Sequence, residues 1–153
     1  MGVEIALGPP VLSINHGATF MVTDLGGEIQ ADTDQGVFAD DTRFVSYYAI
    51  FANGLSWQRL NSAATSYYEA RVYLMNDVVP TEDGDIPEGA LSLVIDRTVS
   101  DGIHEDLDVA NHGLVPVRFN LEIALRSDFA DLFEVKREHL VRRGRIIYER
   151  RRG

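Results

Sequence analysis

Strict alternation of apolar and polar residues is the feature that most constrains how this chain folds. In residues 115–125 every odd-numbered position is apolar, and the even-numbered positions hold Pro, Arg, Asn, Glu and Ala. Residues 91–99 and 103–109 repeat the pattern, with Arg97 as a break in the first of them. Successive side chains of a β-strand point to opposite faces, so a period of two collects apolar residues on one face. The pattern predicts strands that each bury one face.

Turn signals join these segments into hairpins. Asp101-Gly102 and Asn53-Gly54 each favour a type I′ turn, in which both central residues need positive φ. Residues 111–113 supply a longer turn, and alternation in residues 68–74 predicts a further strand. We expect roughly eight to ten strands and no long helix. The predicted fold is all-β: an antiparallel β-sandwich with hairpin meanders and little helix.

Residues 42–52 are apolar on both faces, which predicts one central strand covered on both sides. One face holds Phe44, Tyr48 and Ile50, and the other holds Val45, Tyr47 and Phe51. An isolated antiparallel sheet commonly keeps one face in water. We therefore expect the second face to meet another domain.

Composition sets the class of protein and its expected surroundings. The 153 residues suit one domain, contain no Cys, and include no apolar run long enough for a membrane span and no signal peptide. These features fit a reducing compartment, and we expect the cytoplasm. Residues 147 and 148 resemble strand material with no following element to pair with, which predicts a fragment of a longer protein.

The net charge of −10 is unevenly distributed. Residues 136–153 hold eight basic residues and two acids, a charge of +6, whereas residues 1–135 hold six basic residues and 22 acids, a charge of −16. The acidic body disfavours nucleic acid and membrane as partners. The basic tail taken alone could suggest either partner, but a charged edge strand or a segment that docks on the acidic body is the favoured explanation.

Two adjacent acids and an arginine at the entrance to residues 42–52 form the main candidate site. Asp40 and Asp41 suggest a glycosidase pair, but adjacent residues of an extended chain point to opposite faces and cannot easily share one sugar. We predict that Asp40 or Asp41 forms a buried or half-buried structural ion pair with Arg43. Contact with a ligand is the alternative, and catalysis is the least favoured one.

Other candidate sites are weaker. Residues 32–36 open like a calcium loop but lack its closing Glu, so a turn is predicted. His16, His104, His112 and His139 lack metal spacing, and we expect no metal, no cofactor and no catalytic residue. Trp57 is the first choice for stacking on a sugar ring, with Asp41 and Arg43 as hydrogen-bonding neighbours. The alternative is that Trp57 belongs to the core.

Five segments in order resemble one family, and they span roughly residues 18–136. They are Thr19 to Asp24 with Gly26-Gly27, then Asp41 to Phe44 with Ser46, then Asn53-Gly54, then Asp101 to Glu105 leading into Asn111 to Gly113, and finally Ser127 to Lys136. Together they resemble the N-terminal domain of bacterial amylo-α-1,6-glucosidase, the glycogen debranching enzyme.

This resemblance implies a non-catalytic accessory domain in a parent enzyme that hydrolyses α-1,6 branch linkages. In that family an (α/α) barrel follows and carries the catalytic acids, so no catalytic residue can be carried over to this chain. The implied partners are the barrel of the same polypeptide and an α-glucan. The alternatives are a free-standing carbohydrate-binding module and a structural domain that forms homo-oligomers.

Overall fold

The computed structural model describes residues 9–136. The predictions for the basic tail, for residues 147 and 148, and for His139 concern residues outside this range. Within it, eleven strands precede one short helix. The elements are β1 Val11–His16, β2 Thr19–Asp24, β3 Gly36–Ala39, β4 Thr42–Val45, β5 Tyr47–Ala52, β6 Leu55–Ser56, β7 Gln58–Ala64, β8 Glu69–Met75, β9 Leu91–Val99, β10 Ile103–Asn111, β11 Leu121–Arg126 and α1 Leu132–Lys136.

These strands form three antiparallel sheets, which confirms the predicted all-β class. The first sheet has the order β1-β2-β3-β4, the second β10-β9-β8-β7, and the third β11-β5-β6. Strand β1 packs against β7, β8 and β9, so the first two sheets enclose the main core. That core is built from alternate residues of the strands, such as Ile14, Met21, Val72 and Leu93. No helix in the described part of the chain is long and apolar enough to cross a membrane.

The alternation in residues 91–99 is confirmed, and it continues through Arg97. Buried and partly exposed residues alternate along all nine positions of β9, so the Arg97 side chain lies on the buried face. A buried guanidinium requires ionic and hydrogen-bonding partners, because burying an unpaired charge is costly. Arg97, which was predicted to interrupt the pattern, therefore lies at the centre of a buried polar cluster.

The predicted single strand over residues 42–52 is wrong, because the chain bends at Ser46. Strand β4 pairs with β3 in the first sheet, and β5 pairs with β6 and β11 in the third. The backbone N–H of Ser46 donates to the carbonyl of Arg126, which fixes the transition between the sheets. Burial on both faces holds only for β5, where Tyr48, Ala49 and Ile50 are consecutive buried residues.

The predicted strand over residues 115–125 is only half formed. Strand β11 begins at Leu121, and residues 115–120 lie outside the described strands. Pro116 has no backbone N–H to contribute to a ladder. Instead, Asn53 holds the segment with two hydrogen bonds. Its Oδ1 atom accepts from the Asn120 N–H at 2.7 Å, and its backbone N–H donates to the Asn120 carbonyl at 2.9 Å.

The hairpin turns are partly as predicted. Asn53 and Gly54 have φ values of 48° and 78°, which confirms the turn between β5 and β6. The β9–β10 hairpin exists, but neither Asp101 nor Gly102 is among the residues with positive φ, so a type I′ turn there is wrong. Three residues separate the paired Val99 and Ile103, which is one more than a type I′ hairpin loop holds.

Candidate functional site

Asp40 and Asp41 form the tight turn between β3 and β4. Both take positive φ, 49° and 64°, and both are exposed. Ala39 pairs with Thr42 across the turn, and the Asp41 carbonyl accepts a hydrogen bond from the Leu132 N–H at 2.8 Å. The predicted ion pair of either acid with Arg43 is therefore wrong: the two aspartates face solvent at a hairpin tip.

Arg43 is buried and pairs with Asp128. Its side chain is 1% exposed. Its Nε atom donates to Asp128 Oδ1, and its Nη2 atom donates to Asp128 Oδ2. Its Nη1 atom donates to the carbonyls of Thr33 and Gln35 at 2.7 and 2.9 Å. The guanidinium thus joins β4 to the 30–35 loop and to the turn after β11.

The local backbone is shaped to admit this arginine. A Cβ atom added at Gly36 would lie 2.5 Å from Arg43 Cδ and 2.7 Å from the Val45 carbonyl oxygen. The ladder between β3 and β4 shifts register between Val37 and Phe38. Glycine at position 36 and the irregular ladder together leave the space through which the Arg43 side chain reaches Asp128.

The Asp128 carboxylate is set up to stay ionised. Burial raises the pKa of Asp128, but the hydrogen bonds from Arg43 and from the Ala130 N–H together lower it by more. The net result is a pKa below its usual range. The Ala130 carbonyl in turn accepts from the Arg43 N–H at 2.8 Å. Residues 128–130 therefore clasp Arg43 through both side chain and backbone.

An aromatic surface lies beside this ion pair; we define it by Phe44 and Phe129. Their rings meet edge-on at 6.0 Å between centroids, and they are 46% and 42% exposed. Phe129 has a φ of 51°, which is rare for a bulky residue. Phe133, in the first turn of α1, is also exposed. The buried pair holds a strained and exposed aromatic residue in a fixed position.

A second polar centre links the second and third sheets. Arg97 Nε donates to Glu105 Oε1 at 2.6 Å, and Arg97 Nη2 donates to the Gly27 carbonyl at 2.9 Å. The Tyr48 hydroxyl donates to the other oxygen of Glu105, and the guanidinium lies 5.4 Å from the centre of the Tyr48 ring. Burial and the Glu105 charge raise the pKa of Tyr48, so it remains a neutral donor.

Trp57 lies in the core and lines a small cavity. Its side chain is buried and meets Phe119 edge-on. The cavity has a volume of about 20 Å³, and it is lined by Gly26, Gly27, Glu28, Ile50, Trp57, Leu74 and Ile95. Glu28 Oε2 accepts a hydrogen bond from the Ile50 N–H at 3.1 Å. The core placement agrees with the alternative weighed for Trp57 from the sequence.

The three residues predicted to contact carbohydrate do not form one open site. Trp57 and Arg43 are buried, whereas Asp41 is exposed at the β3–β4 turn. The donors of Arg43 are also engaged by Asp128 and by two carbonyls. Contact of Trp57, Asp41 and Arg43 with a sugar stays a prediction.

Burial of Glu28 predicts a measurable pH effect. Burial, and to a lesser extent the charge of Asp24, raises the pKa of Glu28 although the Ile50 N–H bond opposes the shift. A carboxyl group whose pKa is raised in the folded state stabilises the fold fully at pH values below its ordinary pKa, which is about 4.3 for Glu. This stabilisation is lost as the pH rises through the folded-state pKa. We expect Glu28→Gln to raise the melting temperature at pH 7, because the amide still accepts from Ile50 and cannot ionise.

The measurement is thermal unfolding of both proteins between pH 4 and pH 8. The gain from Glu28→Gln should shrink toward pH 4, where wild-type Glu28 is also neutral. The matched change Glu88→Gln, at an exposed loop position, should leave the curve unaltered. A gain from Glu28→Gln that is equal at both ends of the range would contradict the assignment of the effect to ionisation.

The remaining polar candidates are surface contacts. His104 lies 3.3 Å from Asp106 on the exposed face of β10, and His112 bonds to Ser92 at 2.7 Å. Between residues 9 and 136 no group of three His, Asp or Glu side chains could hold a metal ion. Residues 31–34 are turns and bends, with Asp32 at positive φ, in agreement with the turn predicted for residues 32–36.

Fold and site together define an antiparallel β domain whose buried arginines are paired within the domain and whose Phe44 and Phe129 rings are exposed. The chain belongs to the family described as the N-terminal domain of (some) glycogen debranching enzymes, whose model matches residues 14–152. This confirms the resemblance drawn from the sequence. No curated protein and no solved structure shows significant similarity to the chain.

Sequence reasoning found Arg43 but missed Asp128 as its partner. Arg43 and Asp128 are 85 positions apart, whereas Asp40 and Asp41 lie within three positions of Arg43 in the sequence. The only sequence signal was indirect: Arg43 and Asp128 both fall in the segments that carry the family resemblance. Glu105 and Tyr48 were missed because Arg97 appeared to interrupt a strand rather than to occupy its buried face.

Proposed function

We propose that this chain is a non-catalytic accessory domain of a glycogen-debranching-type glycoside hydrolase, an α-1,6-glucosidase, and that its aromatic surface packs against the catalytic domain of the same polypeptide. We place this parent enzyme in the cytoplasm. The observation that carries the proposal is the exposed Phe44–Phe129 pair, inside a domain whose family is defined by its position in debranching enzymes.

Backbone strain supports a contact role for Phe129. A non-glycine residue in the left-handed region costs roughly 1–2 kcal/mol. Strain of this kind persists where the surrounding structure enforces it, and it concentrates at binding sites. The Asp128 clasp on Arg43 enforces it here, because the Ala130 N–H and carbonyl on the far side of Phe129 are both hydrogen-bonded.

The chemistry of the polar groups supports an accessory role rather than a catalytic one. Arg43, Asp128, Arg97 and Glu105 all bond to one another or to backbone carbonyls. The two exposed acids at the β3–β4 turn are adjacent in sequence and lie at a hairpin tip. We expect the purified chain to release no glucose from a branched limit dextrin, and measurable release would contradict the proposal.

The packing proposal predicts separable effects on binding and on stability. We expect Phe44→Ser and Phe129→Asn each to weaken binding of this domain to the separately produced catalytic domain by about tenfold or more, because aromatic anchors dominate interface energy. Stability of the isolated domain should change little. At position 129, Asn tolerates the left-handed backbone and so offsets the lost ring contact.

Isothermal titration of the two domains measures the binding, and thermal unfolding monitors the stability. Tyr67→Ser is the matched control, because Tyr67 is an exposed aromatic residue on the β7–β8 connection. It should leave the interdomain affinity unaltered. Equal losses for Tyr67→Ser and Phe44→Ser would argue against a specific surface at Phe44 and Phe129.

Contact with α-glucan is the second candidate function, and the exposed tyrosine on the β7–β8 connection favours it. The Tyr67 ring meets Tyr68 edge-on at 4.9 Å, and 66% of the residue is exposed, so most of its surface is accessible to a ligand. Titration with maltoheptaose should give saturable binding that Tyr67→Ala removes. An unaffected affinity in Tyr67→Ala would exclude this ring as the stacking residue.

A further inference from the structure

We propose that the cavity beside Trp57 is a binding site for one ordered water molecule, which bridges the Trp57 indole N–H and the Glu28 carboxyl group. The inference concerns the interior of the domain and does not depend on the proposed function.

The Trp57 indole N–H is the buried donor that requires such a ligand. Trp57 is 9% exposed, and its Nε1 atom is buried without a hydrogen-bond partner in residues 9–136. Buried donors in proteins are paired in the great majority of cases, because an unpaired one loses its hydration without compensation. A bound molecule would supply the partner that residues 9–136 do not provide.

The cavity supplies the space. Its volume of about 20 Å³ exceeds the roughly 10–15 Å³ that one water molecule requires, and it is far too small for a sugar ring. Ile50, Leu74 and Ile95 contribute apolar side chains to its lining. A single hydroxyl-sized oxygen is thus the ligand that the dimensions select.

Glu28 supplies the second polar partner. Glu28 lines the same cavity, and of its two carboxyl oxygens only Oε2 is hydrogen-bonded within the described residues, to the Ile50 N–H. A carboxylate can accept about four hydrogen bonds, so it retains capacity for a water O–H. The water would accept from Trp57 and donate to Glu28, and it would tie the turn after β2 to the chain between β6 and β7.

The single Trp of the chain makes the site directly observable. In a ¹H–¹⁵N spectrum the indole N–H gives one peak, and a rotating-frame cross-peak from this proton to water reports a bound water molecule. We expect the cross-peak in the wild-type protein and its loss in Glu28→Leu, which removes the acceptor and leaves an apolar side chain in the cavity lining. Glu88→Leu, the same change at an exposed position, should retain it.

Two outcomes would overturn the assignment. They are the lack of a water cross-peak in the wild-type protein and its persistence in Glu28→Leu. Should Glu28→Leu fail to fold, a crystal structure of the wild-type protein at high resolution decides the question. Electron density for a water within hydrogen-bonding distance of Trp57 Nε1 supports the site, and an empty cavity rejects it.

Discussion

Replacing Arg43 with Ala is expected to lower the free energy of unfolding by about 3–5 kcal/mol, because it leaves the Asp128 charge without its partner in a largely buried position. Only 15% of the Asp128 side chain is exposed. The change also removes the donors to the Thr33 and Gln35 carbonyls, so the 30–35 loop loses its attachment to β4. Arg43→Lys should fall between Ala and wild type, because an ammonium group keeps the charge but cannot form the two-pronged pair.

Urea unfolding followed by the fluorescence of Trp57 measures this loss. Arg71→Ala is the matched control: Arg71 also pairs with an aspartate, Asp96, but on the exposed face of the second sheet. Exposed ion pairs contribute little, so this control should leave the unfolding midpoint unaltered. A loss below about 1 kcal/mol for Arg43→Ala would mean that the guanidinium is not a structural anchor.

The same ion pair gives the domain a defined acid sensitivity. Because the folded-state pKa of Asp128 is lowered, its contribution to stability is present above the ordinary Asp value of about 3.9 and is lost as pH falls through the folded-state value. The difference in stability between wild type and Asp128→Asn should therefore narrow below about pH 4.

Replacing Arg97 with Met is the second change with a large expected effect, again a loss of about 3–5 kcal/mol. Methionine fills much of the space, so the loss arises from the unpaired Glu105 carboxylate and the unsatisfied Gly27 carbonyl rather than from a cavity. Adding Glu105→Gln to Arg97→Met should recover part of the loss. The amide carries no charge and still accepts from the Tyr48 hydroxyl.

Equilibrium unfolding of the single and double variants separates charge from packing. Arg71→Met, on the exposed face, controls for the loss of an arginine as such. A double variant that is no more stable than Arg97→Met would show that the unpaired charge is not the main cost. In that case the lost contacts of the guanidinium with the Tyr48 ring and the Gly27 turn carry the effect.

Sequence patterns predicted the parts of this fold that are set by local rules. The β9–β10 hairpin follows from alternation, because one register alone buries Leu91, Leu93 and Ile95 together. The Asn53-Gly54 turn follows from the backbone angles that both residues tolerate. The bend at Ser46 could not be predicted this way, because residues on either side of it are equally suited to a strand.

The partners of the two buried arginines could not be predicted, because ionic pairing is decided by the tertiary fold. Arg43 has two acids within three positions in sequence, yet the turn that contains them directs both toward solvent. Its real partner arrives from the far end of the domain. Distance along the chain is thus a poor guide once a tight turn intervenes.

The separation between Arg43 and Asp128 also determines when this domain can finish folding. Strands β1 to β10 precede residues 128–130 in the sequence, so Arg43 has no access to its partner Asp128 until those residues have been synthesised. Contacts between such distant residues are slow to form, because a long loop must close first. The ion pair can therefore close only after residues 128–130 have been synthesised, near the C-terminal end of the described residues.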